Sequence, residues 1–232
     1  LDLCKLKVVA LMLLCAWVGM LLATPDVPSI QLMALGSLGI GLASASGAAL
    51  NHVIDRHIDA RMQRTQTRPL PQHKLSAQHA LLFAISLGIM GIGLLASTVN
   101  LTAAGWTLAT LLGYGLVYTA LLKRLTPQNI VIGGLSGALP PLLGWACINP
   151  NLGSEPWLLV LIIFAWTPPH FWALAIAKIK DYEKSQLPML PITHGIQYTK
   201  LNIILYTWLL VAATGLPFAI GMLGLPYLIG SQ

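Results

Sequence analysis

The chain has 232 residues, of which 56% are hydrophobic and only 9% charged. A soluble domain carries roughly 25% charged residues, so this composition, with a mean hydropathy of +0.75, excludes a soluble enzyme, a disordered tail and a disulfide scaffold. It leaves a polytopic helical membrane protein, whose net charge of +6 reports on partners or on topology according to where the cations fall.

A spanning helix needs about 20 mostly apolar residues. In chain order the qualifying stretches are Val8–Ala23, Ile30–Ile54, His79–Val99, Leu101–Leu122, Asn129–Cys147, Trp157–Ala177 and Leu201–Leu223. Long polar connections, Asp55–Gln78, Lys123–Gln128 and Lys178–Lys200, alternate with short ones: Thr24–Ser29, a tight turn near Asn100, and Ile148–Pro156. Lys5 and Lys7 precede the first stretch. Arg56, Arg61, Arg64, Arg68 and Lys74 follow the second. Lys123 and Arg124 follow the fourth, and Lys178, Lys180, Lys184 and Lys200 lie between the sixth and seventh. These are all 13 cations, and all fall on one side. Short cytoplasmic loops hold Lys and Arg in excess, so that side and the N-terminus are predicted to be cytoplasmic. Nucleic-acid binding loses its support. Cys4, Cys15 and Cys147 have no metal-ligand spacing and read as membrane-packed thiols. The chain begins with Leu1 and reads as a fragment, with a first apolar run that is retained as a span rather than cleaved as a signal peptide.

The scarce acids carry more information, because Asp and Glu contribute little to orientation. Asp55 and Asp59 continue the second stretch and, with Asn51, form Asn51-x-x-x-Asp55-x-x-x-Asp59. A spacing of four places all three on one helical face. Like charges at that spacing repel, and an acid at membrane depth costs about 2.5–3.5 kcal/mol, so the stripe requires counter-charge. Three oxygen-bearing side chains suit Mg²⁺, which is held by one or two carboxylates, waters and substrate phosphates. Interfacial acids paired with Arg56 and Arg61 are the structural alternative. The nearby Arg61, Arg64, Arg68 and Lys74 favour a metal–diphosphate site, since guanidinium meets phosphate bidentately, although topology alone also places cations here.

A second polar constellation, Lys178-Ile-Lys180-Asp181-Tyr182-Glu183-Lys184, leads into Leu187-Pro188-Met189-Leu190-Pro191, a stiff segment predicted to act as a lid or wall. Mid-span, His170 lies in Trp166-Thr-Pro168-Pro169-His170-Phe171-Trp172. An ionisable group inside a span is a functional candidate. Here it contacts haem iron, handles a proton or packs between helices. Trp166, Phe171 and Trp172 either wall a flat ligand or pack the bundle. The small residues from Gly36 to Ala49, and Gly133-x-x-x-Gly137, predict close helix packing.

Asn51-x-x-x-Asp55-x-x-x-Asp59 followed by Arg64-Thr65-x-x-Arg68-Pro69-Leu70 resembles the first aspartate-rich motif of the membrane-embedded aromatic prenyltransferase superfamily. Within it, three segments resemble the haem O synthase (protohaem IX farnesyltransferase) family: Tyr118-Thr-x-x-Leu122-Lys123-Arg124-x-Thr126-Pro127-x-Asn129; Gly134-x-Ser136-Gly137-Ala138-x-Pro140-Pro141; and Trp166-x-Pro168-Pro169-His170-Phe171-Trp172-Ala173 with Lys180-Asp181-Tyr182 and Pro188-Met189-Leu190-Pro191-x-x-x-Gly195. The resemblance spans essentially the whole chain. It implies an all-α transmembrane bundle, here with seven of the family's nine spans, forming a single domain over residues 1–232 that lacks the last two helices, around a central cavity open to the cytoplasmic side.

The implied reaction transfers the farnesyl group of farnesyl diphosphate to a vinyl group of haem B, with water added, giving haem O. The resemblance implies that Asn51, Asp55 and Asp59 hold a first Mg²⁺ and Asp181 a second. Arg64, Arg68, Lys123, Arg124 and Lys180 are the implied diphosphate contacts. His170, Trp166 and Trp172 are the implied haem contacts, with His170 holding haem or positioning water. Asp55, Asp59, Asp181 and His170 are thus the catalytic set. Ser185 stands where the superfamily often has another acid, which points within it toward haem. The implied setting is a bacterial inner membrane, with haem A synthase or a terminal oxidase as protein partners. The competing readings are a quinone-type prenyltransferase, a membrane transporter, and a haem-binding assembly factor that leaves Asp55 and Asp59 without a role.

Overall fold

Inside a bilayer a chain must satisfy its own backbone hydrogen bonds, and for apolar runs of this length the solution is the helix. The computed structural model describes residues 2–63, 65–184 and 187–231, without the side chains of Arg124 and Lys184, and every regular element among them is helical. The long helices are α1 (Leu6–Leu22), α2 (Ile30–Asp59), α3 (Ala77–Thr98), α4 (Leu101–Leu112), α5 (Asn129–Ala138), α6 (Pro140–Ile148) and α7 (Glu155–Ala177). Two short helices, α8 (Ile179–Lys184) and α9 (Leu190–Thr193), precede α10 (Gly195–Ala219) and a terminal α11 (Leu225–Ser231). Six rods are long and apolar enough to cross a membrane: α2, α3, α4 with its continuation to Leu122, the α5–α6 pair, α7 and α10. At 17 residues, α1 lies at the lower edge of spanning length. The protein is an integral membrane protein. Its outward faces accordingly carry large apolar side chains such as Ile204 and Trp208, the latter 69% exposed.

α2 runs past its apolar stretch through Asp59, as the four-residue spacing predicts, and its polar end is buried by protein rather than lipid. Other boundaries differ from those read in the sequence. The fifth apolar run is two helices that meet at Leu139, where Pro140 opens α6. α7 passes unbroken through Pro168 and Pro169, although the two prolines cannot donate to the carbonyls one turn back. α10 starts at Gly195, earlier than the apolar run suggests.

Close crossings hold the bundle together. A Cβ on Gly19 of α1 would fall on the carbonyl of Pro141, and one on Gly144 of α6 would fall on the carbonyl of Ala16. Backbone cannot yield there as a flexible side chain can. Gly144→Val is therefore expected to destabilise the fold by about 3 kcal/mol, while Gly137→Val, in open space, is expected to be neutral. Thermal unfolding of both variants in detergent tests this contrast. The Gly133-x-x-x-Gly137 pattern is not a two-point helix contact: only Gly133 is covered, by the ring of Tyr118. Ser46 donates to the Ala84 carbonyl (2.7 Å) and ties α2 to α3. Asn100 caps α4 through Ala103 N and also donates to the Ala146 carbonyl (2.8 Å each), fixing the α3–α4 turn against α6.

Candidate active site

The acid stripe on α2 faces inward. Asn51, Asp55 and Asp59 are all buried, Asp55 to 1% exposure. Buried carboxylates need donors, and each has them. Asp55 Oδ2 accepts from Asn51 Nδ2 at 2.7 Å and from Lys123 Nζ at 2.5 Å. Asp59 Oδ2 accepts from an Arg68 guanidinium nitrogen at 2.7 Å. Arg56 donates to the Val53 carbonyl and Arg61 is exposed, so the alternative pairing of the acids with Arg56 and Arg61 is not what forms among the described residues.

Local structure delivers each cation. After α2 the chain turns back through a series of tight turns, and buried Thr65 pins it by donating to the Asp59 carbonyl at 2.9 Å. That bond returns the loop beneath the end of α2, where Arg68 meets Asp59. Lys123 arrives differently. From Gly113 to Leu122 the fourth span is a π-helix, with i→i+5 hydrogen bonding echoed by Thr119 Oγ1 donating to the Tyr114 carbonyl. Wider turns of this kind gather at functional positions. Here the π-helix stacks Tyr114 on Tyr118 (5.6 Å, 29°) and ends at Lys123, which reaches across to α2. Buried Asn129 donates to the Lys123 carbonyl at 3.3 Å and steadies that end.

The positive-inside rule alone accounts for Lys5 in the sequence, but the structure places it beside the acid stripe. Its ammonium donates to Asn51 Oδ1 at 2.7 Å. Burial, and then the neighbouring Arg68 and Lys123, lower its pKa to about 8. Lys7, two residues on, is exposed as the positive-inside rule would have it.

The second constellation is placed nearby but apart. Asp181 on α8 is half-buried, while Lys180 and Glu183 are exposed. Tyr182 packs with Met62 from the loop after α2, with Ile130, and with Trp172, Leu187, Met189 and Leu190. The proline-rich segment is thus a packed wall, with Leu190 fully buried, and not a loose cover. Arg64 and Ser185 lie outside the described residues, as does the Arg124 side chain. On α7, Trp166 stacks on His170 (4.3 Å, 20°), and Phe171 meets His170 edge-on at 5.2 Å. Trp166, His170 and Phe171 are exposed, whereas Trp172 is 1% exposed and packs edge-on against Tyr206 (5.4 Å). Trp172 therefore does not share a face with Trp166 and His170.

Asp55 Oδ1 is buried with no hydrogen-bond partner, while its sister oxygen accepts two donors. A hard cation is the natural occupant of such an oxygen, and two carboxylates suffice for Mg²⁺ when phosphates supply further ligands. Among the described residues no three His, Cys, Asp or Glu side chains come together to hold one ion, so Asp181 does not complete the set formed by Asp55 and Asp59. The residues fit a two-carboxylate magnesium site.

Residues 12–231 match the UbiA prenyltransferase family. The chain belongs to the UbiA prenyltransferase family. A relative from Teredinibacter turnerae named protoheme IX farnesyltransferase is 55% identical over 99% of this chain and 74% of its own length. Among solved structures, a digeranylgeranylglyceryl phosphate synthase superposes with a TM-score of 0.83 at 21% identity, over 100% of this chain and 80% of that one. A UbiA homologue from Archaeoglobus fulgidus bound to DMAPP and Mg²⁺ superposes with a TM-score of 0.79 at 18% identity, over 100% and 81% of the respective chains. At those identities the likeness establishes the UbiA fold, and the family assignment makes this chain an enzyme of prenyl transfer.

Proposed function

We propose that this chain transfers the farnesyl group of farnesyl diphosphate to a vinyl group of haem B, with addition of water, to form haem O. The carrying observation is the pair of buried carboxylates, Asp55 and Asp59, each set against a cation. A buried site with this alternation of sign suits a metal-bound diphosphate. The haem acceptor follows from the name of the 55%-identical relative, and Mg²⁺ from the donor set and the magnesium-bound UbiA homologue.

The allylic carbon–oxygen bond breaks and its electron pair leaves with pyrophosphate, whose negative charge grows. Mg²⁺ held by Asp55 and Asp59, with Asn51 beside them, would neutralise that charge. Lys123 and Arg68 add fixed donors in a water-poor setting, where they act most strongly. Asp181, on a different helix, would hold a second Mg²⁺ for the diphosphate, with Lys180 as a further phosphate donor. The terminal vinyl carbon of haem bonds to the farnesyl C1, the adjacent carbon takes up the positive charge, and water oxygen bonds there with loss of a proton. No covalent nucleophile on the protein is required. The flat Trp166–His170 stack offers the porphyrin a shelf of matching shape, with His170 as iron contact or water-positioning group. The site is assigned to the cytoplasmic end of a bacterial inner-membrane protein, on the side where all the cations gather.

Purified protein supplied with haem B, farnesyl diphosphate and Mg²⁺ is expected to yield haem O by mass analysis and no product from an aromatic acid acceptor. The reverse preference would transfer the reading to a quinone-type enzyme. His170→Ala is expected to raise KM for haem B roughly tenfold and leave KM for farnesyl diphosphate unchanged. An iron contact at His170 shows as a shifted haem absorption spectrum, and a water-positioning role as a farnesylated product lacking the hydroxyl.

A further inference from the structure

One half-buried cation has no task in the reaction so far. Lys5 lies 46 residues from Asn51 in sequence, yet donates to its side-chain oxygen at 2.7 Å. The chain on either side is anchored. Leu3 is buried in a cluster with Ala49 and Val53 of α2, and Cys4 in one with Val9 and Ala45. Lys5 itself adopts a left-handed backbone (φ 48°) without capping α1 by its side chain. A non-glycine residue rarely holds that conformation without compensation. The turn lets Leu3 and Cys4 pack against α2 while α1 departs, and Lys5 is left at the acid stripe.

Its ammonium is poorly matched where it stands. Asp55 and Asp59, the anions close enough to attract it, are already taken by Lys123 and Arg68. Lys5 rests instead on a neutral amide oxygen, repelled by those same two cations. Among the described residues three cations thus face two carboxylates, and the excess positive charge widens once Mg²⁺ enters. A single phosphate monoester already carries about 1.5–2 negative charges at neutral pH; a diphosphate carries more and so offsets the metal and attracts this lysine as well.

We infer that Lys5 is a further diphosphate-binding cation, which leaves Asn51 Oδ1 for a phosphate oxygen when the diphosphate enters and so frees the Asn51 oxygen to face the metal. This rests on the diphosphate reading of the site given above. The N-terminal segment then belongs to the substrate site as well as to the membrane topology.

Calorimetric titration of inorganic pyrophosphate, with Mg²⁺ present, into the purified protein in detergent tests the role without any turnover. Lys5→Met is expected to weaken pyrophosphate binding roughly tenfold. Lys5→Arg restores most of it, and exposed Lys7→Met leaves it unchanged. Lys5→Gln keeps a donor for Asn51 but no charge, and is expected to bind as weakly as Lys5→Met. It carries the test should Lys5→Met fail to fold. A lysine that merely steadied Asn51 would lose its effect in an Asn51→Ala background. The direct contact predicts a further fall when Lys5→Met is added to Asn51→Ala. Wild-type affinity in Lys5→Gln, or no added loss in the double variant, overturns the inference. Failure of the diphosphate reading looks different, because wild-type protein would then bind no pyrophosphate at all.

Discussion

Asp55→Ala and Asp59→Ala are each expected to abolish haem O formation, by at least about a hundredfold, in membranes where haem B is still present. Both side chains are buried at the end of α2, and neither has a substitute within reach. No group of three metal-holding side chains exists among the described residues to take over. Asp55 also carries the one carboxylate oxygen of the pair found buried without a partner. Alanine at either position removes half of the proposed magnesium site and leaves Lys123 or Arg68 facing a void. Asp55→Asn separates charge from shape: it keeps the volume and one carbonyl oxygen but loses the negative charge, and the same loss of haem O is expected. Extraction and mass analysis of the haems is the measurement. Normal haem O in any of these variants would remove the metal assignment, whatever the fate of the acceptor site.

The acid stripe was legible because it obeys the simplest helical rule. Residues four apart share a face, and Asn51, Asp55 and Asp59 do so in the folded chain. Their counter-charges were only half legible. Five cations follow the second apolar stretch in the sequence, and the choice of Arg68 over Arg56 or Arg61 depends on turns pinned by Thr65, a contact between a side chain and a backbone carbonyl six residues away. Lys123 depends on a π-helix that an apolar run such as Leu101–Leu122 does not announce. Lys5 was hidden by a sufficient explanation of another kind, since the positive-inside rule accounts for any lysine before a first span. Trp172 shows the opposite case. It lies six residues after Trp166, well round the helix from it, whereas His170 at four residues shares its face. The spacing already separated the two tryptophans, and burial of Trp172 among Met62, Tyr182 and Leu190 is the result.

Lys123→Met is expected to lower both stability and turnover, and the two losses are separable. Methionine matches the lysine stem in length but leaves the Asp55 carboxylate, 1% exposed, with only the Asn51 amide as donor. Breaking a buried ion pair from one side costs about 3 kcal/mol or more, chiefly because the remaining charge is uncompensated. The Lys123 side chain is 19% exposed, which places this pair toward the lower figure. Adding Asp55→Asn removes the orphaned charge, so the double variant is expected to regain most of the lost thermal stability. It is not expected to regain haem O formation, because both the metal ligand and the phosphate donor are gone. Lys123→Arg keeps the charge on a longer, forked group, and is expected to keep the stability while losing part of the turnover, since the π-helix aims a single ammonium at Asp55. Thermal unfolding in detergent together with haem extraction resolves the two effects. A double variant as unstable as Lys123→Met would show that the lysine stem and its neighbours, rather than the charge pair, hold this end of the bundle. A double variant that is stable and inactive assigns the ion pair to the fold and the same two groups to the chemistry, with Asp55 held in place by Lys123 until the diphosphate takes its share of that charge.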